Sequence, residues 1–348
     1  MAPVTSPQRP RALIITDDHL GERMAGPAIR AVEIARHLAD AQPVTLVSAS
    51  GGHVDVPGVD CPGPGTDMEE LVRRSDVVVL QGAVLVKHPW LHDSPVPLVV
   101  DLYDPFHLEA LQLDESDALR SVDVVESTLW TLADQIARGD FFICATERQR
   151  DFWLGHLAGQ GRLNHRTRAG DPEARRLIDL VPFGVPSDDP TPAGRTLRRL
   201  VPAVGPDDIV ALWAGGIYDW FDPVTLVDAV ATADRSLHVV FLGGAHPNPD
   251  VPEMRAAAEA RAHAAALGVA GTRVHFVDEW IPYAERVQLL LDADIGVTTH
   301  RPGLETAFSF RTRILDYLWV GLPVVCNTGD DLSAAIQDAG AGRVVVPQ

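Results

Sequence analysis

Lysine is almost absent from this 348-residue sequence. Of its 29 basic residues only Lys87 is a lysine, and the other 28 are arginines. A phosphate-binding loop of the form G-x-x-x-x-G-K-[ST] is excluded, because Lys87 lies between Val86 and His88. A pyridoxal-phosphate enzyme would need Lys87 for its Schiff base, and no neighbouring residue supports that role. The net charge of −19 argues against general binding to nucleic acid or anionic membranes outside a local arginine patch.

Cysteine is also scarce, with three residues far apart in the sequence: Cys61, Cys144 and Cys326. There is no C-x-x-C or H-E-x-x-H spacing, which argues against a structural zinc site. An odd, sparse count is typical of a reducing cytosol. Cys144 and Cys326 lie in apolar, strand-like runs, so we expect both to be buried as small hydrophobic residues.

Long hydrophobic runs are missing, and none approaches the ~20 residues that span a membrane. Residues 1–10 are rich in proline, serine and threonine and contain no apolar stretch, so they predict a short disordered arm and no signal peptide. A soluble, cytoplasmic protein is expected.

What the sequence does contain is a repeated alternation of apolar runs and amphipathic segments. The first half predicts strands at 11–16, 44–48, 76–80, 97–101, 140–144 and 178–182. It predicts helices at 28–39, 68–74, 121–138 and 147–157. Continuous β-branched runs indicate strands that are covered on both faces. Alternation of strand and helix indicates a parallel α/β sheet.

The chain then changes character and begins a second alternation. Residues 183–194 hold three prolines, two glycines and two aspartates, which is typical of a linker. Strands are predicted afterwards at 209–214, 237–242, 274–277, 294–298 and 323–326. Helices are predicted at 223–233, 254–267, 283–291, 311–319 and 333–337. We therefore predict an arm at 1–10, a Rossmann-like domain at 11–185, a linker at 186–207 and a second Rossmann-like domain at 208–348, with the two domains facing across a ligand cleft.

Two strand-to-helix loops are candidate ligand contacts. The loop over 17–30 is not G-x-G-x-x-G, but Gly26 and Pro27 begin a helix, and Gly26 would let a ligand approach its free amides. A plain connecting loop is the alternative there. In the second half, Gly215 and Gly216 follow a strand and could lie against a phosphate.

Aromatic residues make up only 6% of the chain, yet Tyr218, Trp220 and Phe221 cluster just after these two glycines. Two interpretations stay open for them, stacking on a base or sugar and hydrophobic cover for the linker.

The segment from His300 to Val325 holds the most specific pattern. Arg311 and Arg313 lie at a predicted helix start, where the helix dipole disfavours cations unless an anion is bound. Arginine is suited to bidentate phosphate recognition. Asp316 follows Arg313 by three residues, so both share a helix face, and a surface ion pair is the alternative to a binding role.

Two Rossmann-like halves with Glu305, Asp316 and the run Gly321-Leu-Pro323-Val-Val resemble the GT-B glycosyltransferases, in particular the large retaining family four. The resemblance covers nearly the whole chain. It implies transfer of a sugar, with retention, from a nucleotide-diphosphate sugar to a glycan, lipid-linked or small-molecule acceptor, as in polysaccharide biosynthesis. It also implies that the donor is a substrate, that no cofactor or metal is needed, and that peripheral membrane contact is compatible with the activity.

The same resemblance implies roles for individual residues. Asp316 would hold the ribose hydroxyls, Glu305 would lie by the donor sugar and diphosphate, and Arg313 matches a basic position of some members. We assign catalysis to Glu305, Arg311 and Arg313, and donor or ligand binding to Gly26, Gly215, Gly216, Tyr218, Phe308, Ser309 and Asp316.

The sequence departs from the family in three places. Residues 218–222 lack the usual arginine and lysine for the diphosphate, so either Arg311 and Arg313 supply that charge or diphosphate binding is weak or absent. Asp101 to His107 occupy the region of a common histidine. The chain ends at Gln348, before the usual crossover helices, and a truncated chain or a module is expected. The alternatives are a GT-B-fold nucleotide-sugar 2-epimerase and a non-catalytic GT-B module.

Asp292-Ala-Asp294 has the D-x-D form of a metal motif but bridges a predicted helix and strand. We predict polar helix-end residues there and no metal site.

Overall fold

The computed structural model describes residues 9–112, 118–243, 254–282 and 285–346, with side chains from 122 onward in the second of these ranges. Two six-stranded sheets are present, all of whose strand pairs are parallel. This confirms the predicted α/β architecture with two Rossmann-like halves. None of the described helices is both long enough and apolar enough to cross a membrane.

The first sheet has the strand order β2-β1-β3-β4-β5-β6. Its strands are β1 (Ala12–Thr16), β2 (Val44–Ser48), β3 (Val77–Leu80), β4 (Leu98–Asp101), β5 (Phe141–Cys144) and β6 (Ile178–Leu180). All five residues of β1 are buried, which is why the strand is a continuous apolar run without alternation. The helices up to β6 are α1 (Gly26–Ala39), α2 (Met68–Arg73), α3 (Val84–Lys87), a 3₁₀ turn (Pro89–Asp93), α4 (Phe106–Ala110), α5 (Ala118–Arg138) and α6 (Glu147–Gly159).

The second sheet has the order β12-β11-β10-β7-β8-β9, the arrangement of a Rossmann fold. Its strands are β7 (Ile209–Ala214), β8 (Leu237–Leu242), β9 (Val274–Val277), β10 (Ile295–Thr298), β11 (Val324–Asn327) and β12 (Gly342–Val345). The accompanying helices are α7 (Leu197–Leu200), α8 (Pro223–Thr232), α9 (Arg255–Ala266), α10 (Arg286–Leu291), α11 (Leu304–Phe308), α12 (Thr312–Trp319) and α13 (Asp331–Ala339).

The chain divides into two compact units. One runs from the first described residue to Asp104 and over Glu126–Pro182, and the other comprises Pro105–Val125 and the chain from Phe183 onward. Pro105–Val125, which follows β4, thus belongs with the second unit.

A buried tyrosine joins the two strands between which the order of the second sheet reverses. The Tyr317 hydroxyl accepts a hydrogen bond from the Ala214 amide at 3.0 Å, and it lies 2.9 Å from the Leu212 carbonyl and 3.0 Å from the Val297 carbonyl. Its ring packs directly on Gly296 of β10, where any Cβ would overlap it. α12 is thereby fixed against β7 and β10 together.

Most predicted strands and long helices agree with the structure to within one to three residues at each end. Helices of four or five residues were missed, because they contain little more than one turn and carry no resolvable period. Among them are α4, α7 and α11. Cys144 and Cys326 are both fully buried, which confirms the expectation for them. Parts of the predicted arm, domains and helix 283–291, at residues 1–8, 113–117, 244–253, 283–284 and 347–348, lie outside the described residues.

Candidate functional site

The reversal of strand order between β7 and β10 marks the candidate site of the second unit. In open α/β sheets, ligands bind at such a point, beyond the carboxyl ends of the strands. Here those ends lead into Gly215 and Gly216 after β7 and into His300 after β10. All the predicted site residues except Gly26 belong to this unit.

Gly215 and Gly216 form the turn that follows β7. Gly215 has φ +121°, a conformation that favours glycine, and its amide donates to the Leu242 carbonyl at 3.1 Å. That amide therefore continues the hydrogen bonding between β7 and β8 at their carboxyl ends. The Gly216 carbonyl accepts from Arg313 Nη2 at 3.0 Å and from Trp213 Nε1 at 3.2 Å. The turn and α12 are thus tied together at the predicted phosphate position.

Arg313 lies in the second position of α12, with its guanidinium directed at this turn. The guanidinium carbon is 4.6 Å from the Trp213 ring centre and 4.5 Å from that of Phe221, which are cation–π distances. Its Nη1 atom is buried and has no hydrogen-bond partner in the described part of the chain. Burial lowers the pKa of Arg313, against the influence of Tyr317 and other groups nearby. An arginine nevertheless stays protonated, so a half-buried positive charge lies at this turn.

Asp316 does not pair with Arg313. Its Oδ1 atom lies 3.0 Å from Arg286 Nη2, and its side chain is 21% exposed. Burial raises the pKa of Asp316, while Arg286 and Arg313 act in the opposite direction. The alternative of an Arg313–Asp316 ion pair is therefore wrong, because Arg286 of α10 takes the carboxylate.

Arg311 sits at the N-cap of α12 and is completely buried. Its Nη1 atom donates to the Asn327 carbonyl at 2.9 Å and to Asn327 Oδ1 at 3.1 Å. Its Nε atom lies 3.3 Å from Asp330 Oδ2. Both arginines have buried nitrogens without a hydrogen-bond partner, Nε and Nη2 in Arg311 and Nη1 in Arg313. They differ in their neighbours, because Arg311 lies against the Asp330 carboxylate and the Asn327 side chain, whereas Arg313 donates to the Gly216 carbonyl and pairs with no described carboxylate.

Glu305 is buried in the short helix α11, next to a histidine that the sequence analysis did not single out. Its Oε2 atom accepts from Thr306 Oγ1 at 3.2 Å and lies 3.7 Å from His300 Nδ1. Burial, together with the Arg311 and Arg313 charges, holds the pKa of His300 well below its usual value, so the imidazole is neutral. The sequence feature that could have identified His300 is its position two residues beyond β10, next to the point where the strand order reverses.

The remaining predicted contacts of this segment have structural partners. The Ser309 amide donates to the Glu305 carbonyl at 2.8 Å and its hydroxyl to the Thr306 carbonyl at 3.1 Å, so Ser309 ends α11. Phe308 is half-buried beside it.

The aromatic cluster after β7 packs on itself. The Tyr218 and Trp220 rings stack at 4.8 Å with a 3° interplanar angle, and Phe221 meets the Tyr218 ring edge-on at 5.6 Å. Phe221 is 5% exposed and lies against Trp213 in the core beneath β7. The cluster therefore packs beside Arg313, whose guanidinium lies over the Phe221 ring.

Gly26 lies in the first unit, where it begins α1 ahead of Pro27, and no atom would meet a Cβ at this position within 4 Å. One turn later, Arg30 binds Asp101 through two hydrogen bonds of 2.6 and 3.0 Å, with both side chains buried. Burial raises the pKa of Asp101 and Arg30 opposes that shift. This pair, at the carboxyl end of β4, was not predicted, because its partners are 71 residues apart.

Asp292 and Asp294 have the structural role that was predicted for them. Asp292 Oδ2 accepts from the Leu197 amide at 2.8 Å, and Asp294 Oδ2 accepts from the Val210 amide at 2.8 Å. Within the described ranges, no three or more histidine, cysteine or acidic side chains are grouped as metal ligands.

Comparison with known proteins gives structural relatives only. No family model and no curated sequence matches the chain. The fold is shared with sucrose-phosphate synthase from Thermosynechococcus elongatus at 16% identity and a TM-score of 0.64, over 98% of this chain and 86% of that one. It is also shared with HepE from Anabaena in complex with UDP and glucose, at 15% identity and a TM-score of 0.61, over 97% and 86%. The chain has the GT-B fold.

A third relative with the GT-B fold is WaaG, a glycosyltransferase involved in lipopolysaccharide biosynthesis. The identity is 16% and the TM-score 0.61, over 97% of this chain and 86% of that one. The structural relatives are thus glycosyltransferases, and identities this low bear on the fold alone.

Proposed function

We propose that the protein is a glycosyltransferase that moves a sugar from a nucleoside-diphosphate sugar to a hydroxyl-bearing acceptor with retention of configuration. The second unit would bind the donor, and the first unit would serve the acceptor. Three observations support this proposal: the GT-B fold, the glycosyltransferase relatives that share it, and a site whose charges suit a diphosphate.

One observation carries the proposal. Arg313 is a half-buried cation at the point of strand reversal, with no ion-pair partner among the described side chains and with its buried Nη1 atom unsatisfied. Holding an unpaired charge partly away from water costs free energy, and a bound anion would offset that cost. HepE, which shares the fold, binds UDP and glucose. A diphosphate over the Gly215–Gly216 turn would be the matching ligand.

The chemistry is one of positioning and charge stabilisation. When the bond between the anomeric carbon and the phosphate oxygen breaks, negative charge develops on the departing diphosphate, and Arg313 would stabilise it. The new bond forms between that carbon and the acceptor oxygen, whose proton goes to the leaving phosphate. Asp316 would accept hydrogen bonds from the ribose, and Glu305 would face the donor sugar.

Thermal unfolding with UDP, GDP, ADP or dTDP tests this proposal, because a ligand of the native state raises the unfolding temperature. We expect one diphosphate to stabilise the protein, with the stabilisation strongly reduced in Arg313→Gln. Arg235→Gln, at an exposed arginine of the same unit, is the matched control. No stabilisation by any of the four would contradict the proposal.

Two further measurements separate this proposal from its alternatives. Addition of EDTA should leave the diphosphate affinity unchanged if no divalent metal takes part. Incubation of the corresponding nucleotide sugar without acceptor should yield only the free sugar, by slow hydrolysis. Appearance of its 2-epimer would favour an epimerase instead.

A further inference from the structure

One asparagine links the two segments that carry the charged groups of the site. Asn327, the last residue of β11, is 3% exposed. Its Oδ1 atom accepts from the His300 amide at 2.9 Å, and its Nδ2 atom donates to the His300 carbonyl at 2.6 Å. Both backbone polar groups of His300 are therefore held by one side-chain amide.

The same Oδ1 atom also accepts from Arg311 Nη1 at 3.1 Å, and the Asn327 carbonyl accepts from that nitrogen at 2.9 Å. His300 precedes α11 and faces Glu305, whereas Arg311 caps α12, in which Arg313 lies two residues further on. One amide group thus connects the segment with the acid to the segment with the unpaired cation.

We propose that Asn327 is a positioning residue of the donor site, which sets the placement of Glu305 relative to Arg313. This inference rests on the function proposed above. Asparagine suits the position because its amide donates one bond and accepts two there, with oxygen and nitrogen assigned by their partners. Aspartate, of the same shape, cannot donate to the His300 carbonyl.

Two variants separate the two links. In Asn327→Asp the carboxylate still accepts from Arg311, so α12 and Arg313 keep their anchor. Its second oxygen then faces the His300 carbonyl oxygen without a hydrogen between them, so the His300–Glu305 segment is displaced. In Asn327→Ala both links are lost. Asn164→Asp, at an exposed loop residue of the first unit, is the matched control.

The first measurement is deuterium uptake without nucleotide, which depends only on the links. We expect Asn327→Ala to raise uptake about twofold or more in both peptides, 299–305 and 310–316, and Asn327→Asp to raise it in 299–305 alone. Unchanged uptake in both peptides of Asn327→Ala would overturn the inference, whether or not any nucleotide binds.

The second measurement is the affinity for the tightest-binding diphosphate among UDP, GDP, ADP and dTDP, together with hydrolysis of its glucose donor. Asn327→Asp should keep the affinity within about threefold and lower the hydrolysis rate about 10- to 100-fold, because a displacement of 1 Å has an effect of that size. Asn327→Ala should lower both. Equal losses of affinity and rate in the two variants would overturn the positioning role. A wild type that binds none of the four diphosphates would overturn the proposed function, and the uptake measurement alone would then test whether Asn327 links the two segments.

Discussion

Arg313 is charged and half-buried, and no described carboxylate forms an ion pair with it. The faces of Trp213 and Phe221 lie within cation–π distance and attract the guanidinium by about 0.5–2 kcal/mol each. The Gly216 carbonyl accepts one of its hydrogen bonds. These contacts offset part of the desolvation cost and leave Nη1 unsatisfied.

The sequence could not distinguish Arg313 from Arg311. Both lie at the start of a predicted helix, and both were assigned to the phosphate. What separates them is Asn327, 16 residues beyond Arg311, and Asp330 in the loop after β11. Such contacts depend on which loops meet at the carboxyl end of the sheet, and a local sequence pattern does not indicate them.

The acid at Asp316 gives a prediction at the same scale. We expect Asp316→Ala to weaken binding of the preferred nucleoside diphosphate about tenfold, because under the proposed function the ribose would lose an acceptor, and because Arg286 loses its ion pair with Asp316. Asp294→Ala should leave this affinity unchanged while lowering stability, since it removes the acceptor for the Val210 amide. Calorimetric titration of both variants measures the difference, and equal affinities would contradict the assignment.

At the scale of elements, the strands were the most predictable part of the molecule. Their continuous apolar runs are a direct consequence of burial on both faces, as in β1 and β5. Helices of four or five residues left no such signal. α11, which carries Glu305, is one of these, so the sequence showed the acid without the element that places it.

The contact of α12 with β7 and β10 gives a second prediction. Tyr317→Phe removes one hydroxyl and leaves the half-buried Ala214 amide without its acceptor. We expect the second unit to lose about 1–2 kcal/mol of unfolding free energy, the cost of a donor left without its partner away from water. Urea unfolding followed by tryptophan fluorescence measures it. A change below about 0.5 kcal/mol would show that the hydroxyl contributes little to holding α12.

At the scale of the whole molecule, the sequence predicted two sheets and did not predict their strand orders. The alternation of elements is a local pattern, whereas the order is set by pairing between distant strands. The two orders differ, and only the second has the Rossmann arrangement. The unpredicted order is what brings Gly216, His300 and Arg313 to one place.

The pairing of β8 with β9 makes the stability of the protein depend on pH. His275 Nε2 lies 3.0 Å from His238 Nδ1, with both rings buried. Burial, followed by the effect of His238, lowers the pKa of His275 to about 4. In the unfolded chain His275 takes up a proton near pH 6.5, whereas in the folded protein it does so only near pH 4. The stability associated with the neutral ring is therefore fully present above pH 6.5 and is lost as the pH falls towards 4.

We therefore expect the wild type to lose stability on acidification from pH 6.5 to 4, with about 2 kcal/mol of the loss arising from His275. His275→Gln should show a correspondingly shallower pH dependence in urea unfolding. His165→Gln, at an exposed histidine of the first unit, should follow the wild type. Parallel curves for wild type and His275→Gln would contradict the prediction.

The partial burial of Arg313 also affects how the binding of an anion depends on ionic strength. Mobile ions screen exposed charges over about 10 Å at 0.1 M salt, but they reach a guanidinium enclosed by Trp213 and Phe221 far less. In a chain with a net charge of −19, long-range repulsion of an anionic ligand weakens as salt rises, while the attraction at Arg313 persists. An anion that binds at this turn should therefore be captured as well at high ionic strength as at low, which is the reverse of the behaviour of a surface arginine patch.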